Sequence, residues 1–384
     1  MVTSTSLPVG GKHILVAGAG IGGLTLAAAL RRAGIAVTVF ERQRTPGAAG
    51  AGITVQTNAM RALARVGLDG DVLAAGTTPR TMRIATAAGV MLQDVDAVAA
   101  AARFGQPLVT MHRKRLHLAL LAHAGAVETG LAVVGYREEA DRVVAKLSND
   151  TEVAGDLLVG ADGLHSAVRA QLLGKTPLRY SGYTSWRGVC RNDGLVPEDV
   201  CVEAWGRGVR FGIVPIGFGE VYWFATEDAP EGAHAANEHA HLLSLFGHWK
   251  WPAAALVSAT EHIIRTDIHD RTPVTRWTSG RVALLGDAAH PMTPNLGQGG
   301  CQAILDAVAL TEALSGEPDL AAALARYEAR RVAAANGVVT MSQRFGVLAQ
   351  ARSPLFAWAR DTLVRLSPSA LSERTMAELA DPGL

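Results

Sequence analysis

A glycine triad set between two strands constrains this chain more than any other feature. His13-Ile14-Leu15-Val16-Ala17 is a short, continuously apolar run, the pattern of a parallel strand buried on both faces, and it enters Gly18-Ala19-Gly20-Ile21-Gly22-Gly23 directly. The Ala- and Leu-rich stretch Leu24 to Ala33 reads as a helix, with Arg31 and Arg32 suited to its carbonyl end and Gly34 to its C-cap. A second β-run, Ala36 to Phe40, ends at Glu41. Strand, tight turn, helix and strand within about thirty residues is the setting in which G-x-G-x-x-G binds a dinucleotide.

The spacing has a chemical reason. Gly18 permits the sharp turn, Gly20 lets the backbone approach a pyrophosphate, and Gly23 lets helix and strand pack closely. Free N–H groups and the positive dipole end at the helix N-terminus then face the phosphates, with Ile21, Gly22 and Arg42 bordering the same turn. Glu41 suits both hydroxyls of an adenosine ribose and repels a 2′-phosphate. The expected tightly held nucleotide is therefore FAD or NAD, not NADP.

Two later segments repeat the strand-to-turn pattern. Asp156 to Gly160 is an apolar strand leading into Ala161-Asp162-Gly163 and the start of a helix near Val168-Arg169. Arg281 to Leu285 is another buried strand; it ends in Gly286-Asp287 and continues through Pro291, Pro294, Gly297, Gly299 and Gly300 to a helical stretch, Cys301 to Leu314. Each alone is an ordinary turn; in this order they form a signature.

Composition removes several other classes. Of 384 residues, 36 are Lys or Arg and 35 are Asp or Glu, a net charge of +1 that gives no global field for nucleic acid. The 49% hydrophobic content argues against general disorder and supplies a large core, and the length suggests two or three lobes. Three scattered cysteines, without C-x-x-C or metal-ligand spacing, suggest a reducing compartment and no structural metal. Met1 to Gly11 lacks the pattern of a signal peptide, and no apolar run approaches a membrane span. These features lead us to expect a cytoplasmic protein, monomeric or homodimeric.

Taken together, these motifs resemble the flavin-dependent aromatic hydroxylases of the para-hydroxybenzoate hydroxylase type, over Ile14 to about Arg331. The resemblance implies FAD as the bound cofactor, NADH or NADPH as a transient co-substrate, and O2. It also implies hydroxylation or epoxidation of a small electron-rich aromatic, heteroaromatic or polyketide-like substrate through a flavin C4a-hydroperoxide. In such enzymes the segment like Asp162-Gly163 lies where FAD and nicotinamide meet. The one like Gly286-Asp287 supplies a carboxylate for flavin ribityl or ribose hydroxyls, and an arginine like Arg113 lies near the phosphates. Backbone N–H groups of the loop Asn295 to Gly300 suit the negative charge of a reduced flavin, and Pro291 with Pro294 stiffens the approach as a wall beside it. An FAD oxidase or reductase of the same fold, or a non-catalytic flavin-binding protein, are the alternatives.

The resemblance implies an α/β fold: a Rossmann-like FAD domain over 1–75, 105–179 and 271–330, with a substrate lobe over 76–104 and 180–270. A helical segment covers 331–384. Strand-like runs at 184–191, 201–205, 209–216 and 220–226 read as an antiparallel sheet. A five-residue loop, Pro215 to Gly219, would pair 214 with 220, 212 with 222 and 210 with 224, placing Arg210, Gly212, Tyr222 and Phe224 on one face. A planar substrate would then occupy the gap at Gly212, between Arg210 and Tyr222 as polar anchors and Phe224 as an apolar wall. The Arg210 and Tyr222 spacing is similar to that of bacterial FAD-dependent urate hydroxylases. Gln56, Trp186 and Pro291 are the further candidates beside the substrate. The tail from Pro354 carries an apolar face, Leu355, Trp358, Leu363 and Leu366, expected to pack on the protein itself.

Overall fold

The computed structural model describes residues 12–45, 47 and 50–367. The apolar runs read from the sequence form the centre of a six-stranded sheet. In it His13–Ala17 lies between Ala36–Glu41 and Leu157–Gly160, and Leu157–Gly160 also pairs with Val282–Leu284, all in parallel. These strands read as unbroken hydrophobic segments because helices cover both faces. The register brings Ala17, Gly160 and Leu284 level, so the glycine turn, Asp162-Gly163 and Gly286-Asp287 leave the same edge of the sheet. The crevice at the carboxyl ends of parallel strands, where strand order reverses, is the general ligand position of such folds.

The second lobe is a seven-stranded sheet ordered Ile264–Asp270, Arg179–Arg191, Glu220–Asp228, Val209–Pro215, Val200–Trp205, Thr81–Thr86 and Met91–Asp96. It is not wholly antiparallel, as expected from its short runs: Val200–Trp205 and Thr81–Thr86 pair in parallel, because the latter arrives from the nucleotide fold. One face buries Trp186, Phe211, Ile213, Val221, Trp223 and Ala225 against helices Glu238–Phe246 and Ala253–Ser258. Phe211 stacks on Trp223 with centroids 5.4 Å apart. The other face looks back toward the nucleotide fold.

The hairpin register differs from the simple-loop expectation by two residues. Val214 pairs with Tyr222, Gly212 with Phe224 and Arg210 with Thr226. The loop is shorter because Gly217, Phe218 and Gly219 all take positive φ, closing a tight turn under the Ile216 N–H bond to Glu220 O at 3.0 Å. A shift of two preserves face parity. Arg210, Gly212, Tyr222 and Phe224 therefore still share a face.

Helix Leu320–Ala349 runs unbroken across position 331 and is followed by Pro354–Leu366. Residues 368–384 of the C-terminal segment lie outside the described residues. Among the described residues no helix is long and apolar enough to cross a membrane.

Candidate functional site

At the glycine turn, two of the three glycines are enforced by close packing. A β-carbon on Gly18, whose φ is +102°, would lie 2.5 Å from Ala161 O, and one on Gly23 would lie 2.0 Å from Gly18 O. At Gly20 a β-carbon would meet nothing within 4 Å, so the turn is packed from below and open above. Helix Ile21–Arg32 begins there without a side-chain cap, leaving its first-turn N–H groups for a ligand. Glu41 closes the side of the turn: its Oε2 accepts from Ala19 N at 2.8 Å and its Oε1 from Gln43 N at 2.8 Å. Arg42 and Arg113 stand exposed nearby, Arg113 opening helix Arg113–Ala124. A tight anion cradle beside a carboxylate fits the diphosphate and ribose of FAD.

Asp162 divides its two oxygens. Oδ2 accepts from Ala167 N at 2.8 Å and caps helix Ala167–Leu173, whereas Oδ1 is buried without a partner. Burial pushes this carboxyl above its ordinary pKa. Arg169, one turn on, donates from one terminal nitrogen to Ala288 O and Ala289 O, both at 2.8 Å, joining this helix to the Gly286-Asp287 turn. Asp287 is exposed at the mouth of the crevice. A β-carbon on Gly299 would lie 4.0 Å from Asp287 Oδ1, which puts the carboxylate beside the start of helix Gly299–Gly316. That helix also lacks a side-chain cap, and Gly297 precedes it with φ +63°. Gly286 takes φ +61°, and Pro291 is buried behind the turn.

A buried polar brace holds this loop. The Gln56 carboxamide donates to Leu296 O at 2.6 Å and accepts from Gln298 Nε2 at 2.7 Å. Gln298 Oε1 accepts from Asn58 and Gln302, and Gln302 Oε1 accepts from Arg331 at 2.5 Å. Arg331 Nε reaches Asp306 Oδ1 at 2.7 Å, and Asp306 Oδ2 accepts from Gly286 N at 3.0 Å and meets His290 Nε2 at 2.5 Å. Gln56, expected beside substrate, has both ends of its amide engaged in holding this loop. The sequence does not reveal this brace, because its bonded members lie up to 242 positions apart.

Across the crevice, the inner face of the second sheet separates its charges unequally. Arg210 is only 2% exposed. Its Nε donates to Gln350 Oε1 at 2.6 Å, NH1 to Glu203 Oε1 at 3.0 Å and NH2 to Asn295 Oδ1 at 2.6 Å. Tyr183 also donates to Asn295, at 3.0 Å, and burial drives its phenol pKa up to about 12. The gap expected at Gly212 is filled: a β-carbon there would fall 2.0 Å from Phe224 Cε1, so Phe224 packs where a substrate was expected. Trp186 is also corrected. It faces the opposite core and donates its indole N–H to Glu238 at 2.7 Å, because strand alternation turns it away from Arg187. Tyr222 packs across Gly52, where any β-carbon would lie 2.2 Å from its ring. Burial raises the Tyr222 phenol, and the neighbouring Arg187 guanidinium opposes that rise. Arg187, half-buried on the inner face, has no carboxylate partner among the described residues. Its strand position next to Trp186 was the available signal.

Comparison with known proteins agrees with this geometry. A family model described as "FAD binding domain" matches residues 12–342. The chain is 49% identical to aurachin C monooxygenase/isomerase of Stigmatella aurantiaca, over 94% of this chain and 95% of that protein. It is 36% identical to the FAD-dependent urate hydroxylase of Klebsiella pneumoniae, over 83% of this chain and 85% of that protein. The structure of Klebsiella pneumoniae HpxO complexed with FAD and uric acid superposes with a TM-score of 0.91 at 32% identity, covering 97% of each chain. The chain belongs to this FAD-binding family, and it is an FAD-dependent oxidoreductase of the monooxygenase type.

Proposed function

We propose that this enzyme uses NAD(P)H and O2 to hydroxylate or epoxidise a heteroaromatic substrate bearing an ionisable ring oxygen, of the kind represented by aurachin C or urate. In the hydroxylation, one oxygen atom enters a substrate C–H bond and the other leaves as water, while NAD(P)H supplies two electrons as a hydride and solvent supplies one proton. FAD, when bound, carries the electrons from nicotinamide to oxygen. The residues proposed to hold it are Gly18, Gly20, Ile21, Gly22, Gly23, Glu41, Arg42 and Arg113 along the diphosphate and ribose. Asp162, Gly286, Asp287, Gly297, Gly299 and Gly300 are proposed for the flavin end. The uncapped helix at Gly299 presents N–H groups where a reduced flavin concentrates negative charge. Pro291 backs this loop as part of its fixed wall. In this reading, 76–104 belongs to the substrate lobe because Thr81–Thr86 and Met91–Asp96 extend its sheet.

The observation that carries the substrate class is Arg187. Arg210 is neutralised by Glu203 and fully bonded, whereas Arg187 beside Tyr222 keeps an uncompensated positive charge on the face opposite the flavin loop. A half-buried cation without a protein countercharge suits an ionised substrate oxygen, with the protonated Tyr222 phenol donating beside it. Phe224 supplies the apolar wall, and Arg210 and Gly212 shape the sheet behind it. The test is NAD(P)H oxidation by the FAD-loaded enzyme across aurachin C, urate, other hydroxy-heteroaromatics and neutral aromatics, with product mass. Acidic heteroaromatics should gain one oxygen, and Arg187→Gln should raise their KM at least tenfold with FAD content unchanged. An unchanged KM for the acidic heteroaromatics in the Arg187→Gln variant refutes the role of Arg187, and NAD(P)H-independent oxidation refutes the monooxygenase reading.

A further inference from the structure

Helix Pro354–Leu366 is docked the reverse of the usual way. Its inward stripe carries Ala357, Val364 and a charged residue, Arg360, while Leu355, Trp358, Leu363 and Leu366 are 73%, 65%, 63% and 71% exposed. The expectation that its apolar face would pack on the protein is corrected here. Arg360 sets the orientation: it donates to Ala349 O at 2.8 Å and Gly206 O at 3.2 Å, pairs with Asp361 at 2.8 Å and lies 5.1 Å from the Trp205 ring centroid. Rotating the helix to bury its leucines would expose these carbonyls and strip a buried guanidinium of its partners. The apolar face is therefore held outward.

Three arginines border this face without an ion-pair partner, whereas the carboxylates nearby are paired, among them Asp94 with Arg83 on the strand Met91–Asp96 that the helix packs against. Arg207 adjoins Gly206, Arg344 adjoins the Phe345 that shares a core with Val364, and Arg365 lies in the helix itself; all three are exposed and lack a carboxylate partner among the described residues. The neighbouring carboxylates Asp228 and Asp361 are already engaged, by Arg352 with Gln350 and by Arg360. A second copy docked by a two-fold axis would bring these like charges together. An anionic bilayer surface meets both the apolar face and its basic border. The helix also borders, through Phe356, a cleft of about 410 Å³ whose lining includes Val347, Tyr183 and Asn295. Those last two residues belong to the hydrogen-bonded group around Arg210 beside the flavin loop.

We propose that helix Pro354–Leu366 is a peripheral membrane-docking surface that lays Leu355, Trp358, Leu363 and Leu366 into the headgroup region of an anionic bilayer. Sedimentation of the full-length FAD-loaded enzyme with vesicles of phosphatidylcholine containing phosphatidylglycerol, and with vesicles of phosphatidylcholine alone, tests this. Binding should favour the anionic vesicles and fall with salt. The pair Trp358→Ser and Leu363→Ser should weaken it at least tenfold, and Arg365→Gln should weaken it roughly fivefold, in line with the contribution of one basic residue near an anionic surface. FAD content and activity in detergent-free solution should remain at the wild-type level. Failure to bind anionic vesicles overturns the proposal, as does binding indifferent to the Ser substitutions. Sedimentation equilibrium showing a dimer that those substitutions dissolve would assign the face to a second copy instead.

Discussion

Replacing Asp306 by Asn should unlock the brace that holds the Gly286-Asp287 turn to the rest of the nucleotide fold. Asp306 is fully buried and meets Arg331, His290 and the Gly286 N–H. Its carboxyl is held down at about 2, even though burial alone would raise it, because His290 and Arg331 favour the charge. The distance from the ordinary 3.8 to about 2 corresponds to roughly 2 to 3 kcal/mol of folding stability carried by the ionised form. Removing one member of a buried pair costs about 3 to 5 kcal/mol, because the remaining Arg331 charge is left uncompensated. The Asn variant should therefore lose roughly 3 kcal/mol in urea unfolding near neutral pH. Because the folded pKa is depressed, this contribution is complete above the ordinary carboxylate range and is lost as pH falls through it toward about 2. The gap between wild type and variant should accordingly narrow in acid. Trp277, whose ring lies 5.0 Å from His290, gives a local fluorescence signal for the transition. A variant within about 1 kcal/mol of wild type at neutral pH would show that Asp306 is not the keystone charge, against the expected cost.

Gly23→Ala should abolish FAD retention, measured by flavin absorbance after gel filtration, because its methyl would collide with Gly18 O at 2.0 Å and open the turn. Arg210→Met should destabilise the second sheet by roughly 2 to 4 kcal/mol in denaturant melts, since it removes three hydrogen bonds and leaves the Glu203 carboxylate without its cation, although Trp205, Tyr183 and Thr226 still donate to the three acceptors. The same change in an Arg that merely faced solvent would be silent. Burial pushes Cys201 and Cys301 up to about 12 and raises Cys190 as well, so Ellman's reagent at mildly alkaline pH should label none of the three in the folded enzyme and all three in denaturant.

Local chemistry was legible in the amino-acid sequence of this protein. The strand, glycine turn and helix between His13 and Arg32, and the two later strand-to-glycine turns, depend on short-range periodicity and on contacts within a few residues. Face parity in the Arg210–Tyr222 hairpin was also readable, because side-chain alternation survives a register shift of two. The shift itself was not, since it depends on three consecutive positive-φ residues in the loop. The states of the two inner-face arginines were decided only by the tertiary structure. Arg210 is neutralised by Glu203, 7 positions away, and bonded to the amides of Asn295 and Gln350, 85 and 140 away, whereas no carboxylate among the described residues pairs with Arg187 beside Tyr222. The last helix shows the same limit: its apolar stripe is plain in sequence, but Arg360, anchored to carbonyls 11 and 154 positions away, decides which side faces out. Spacing along the chain sets which side chains share a face; burial and charge balance depend on what the fold carries to that face from elsewhere.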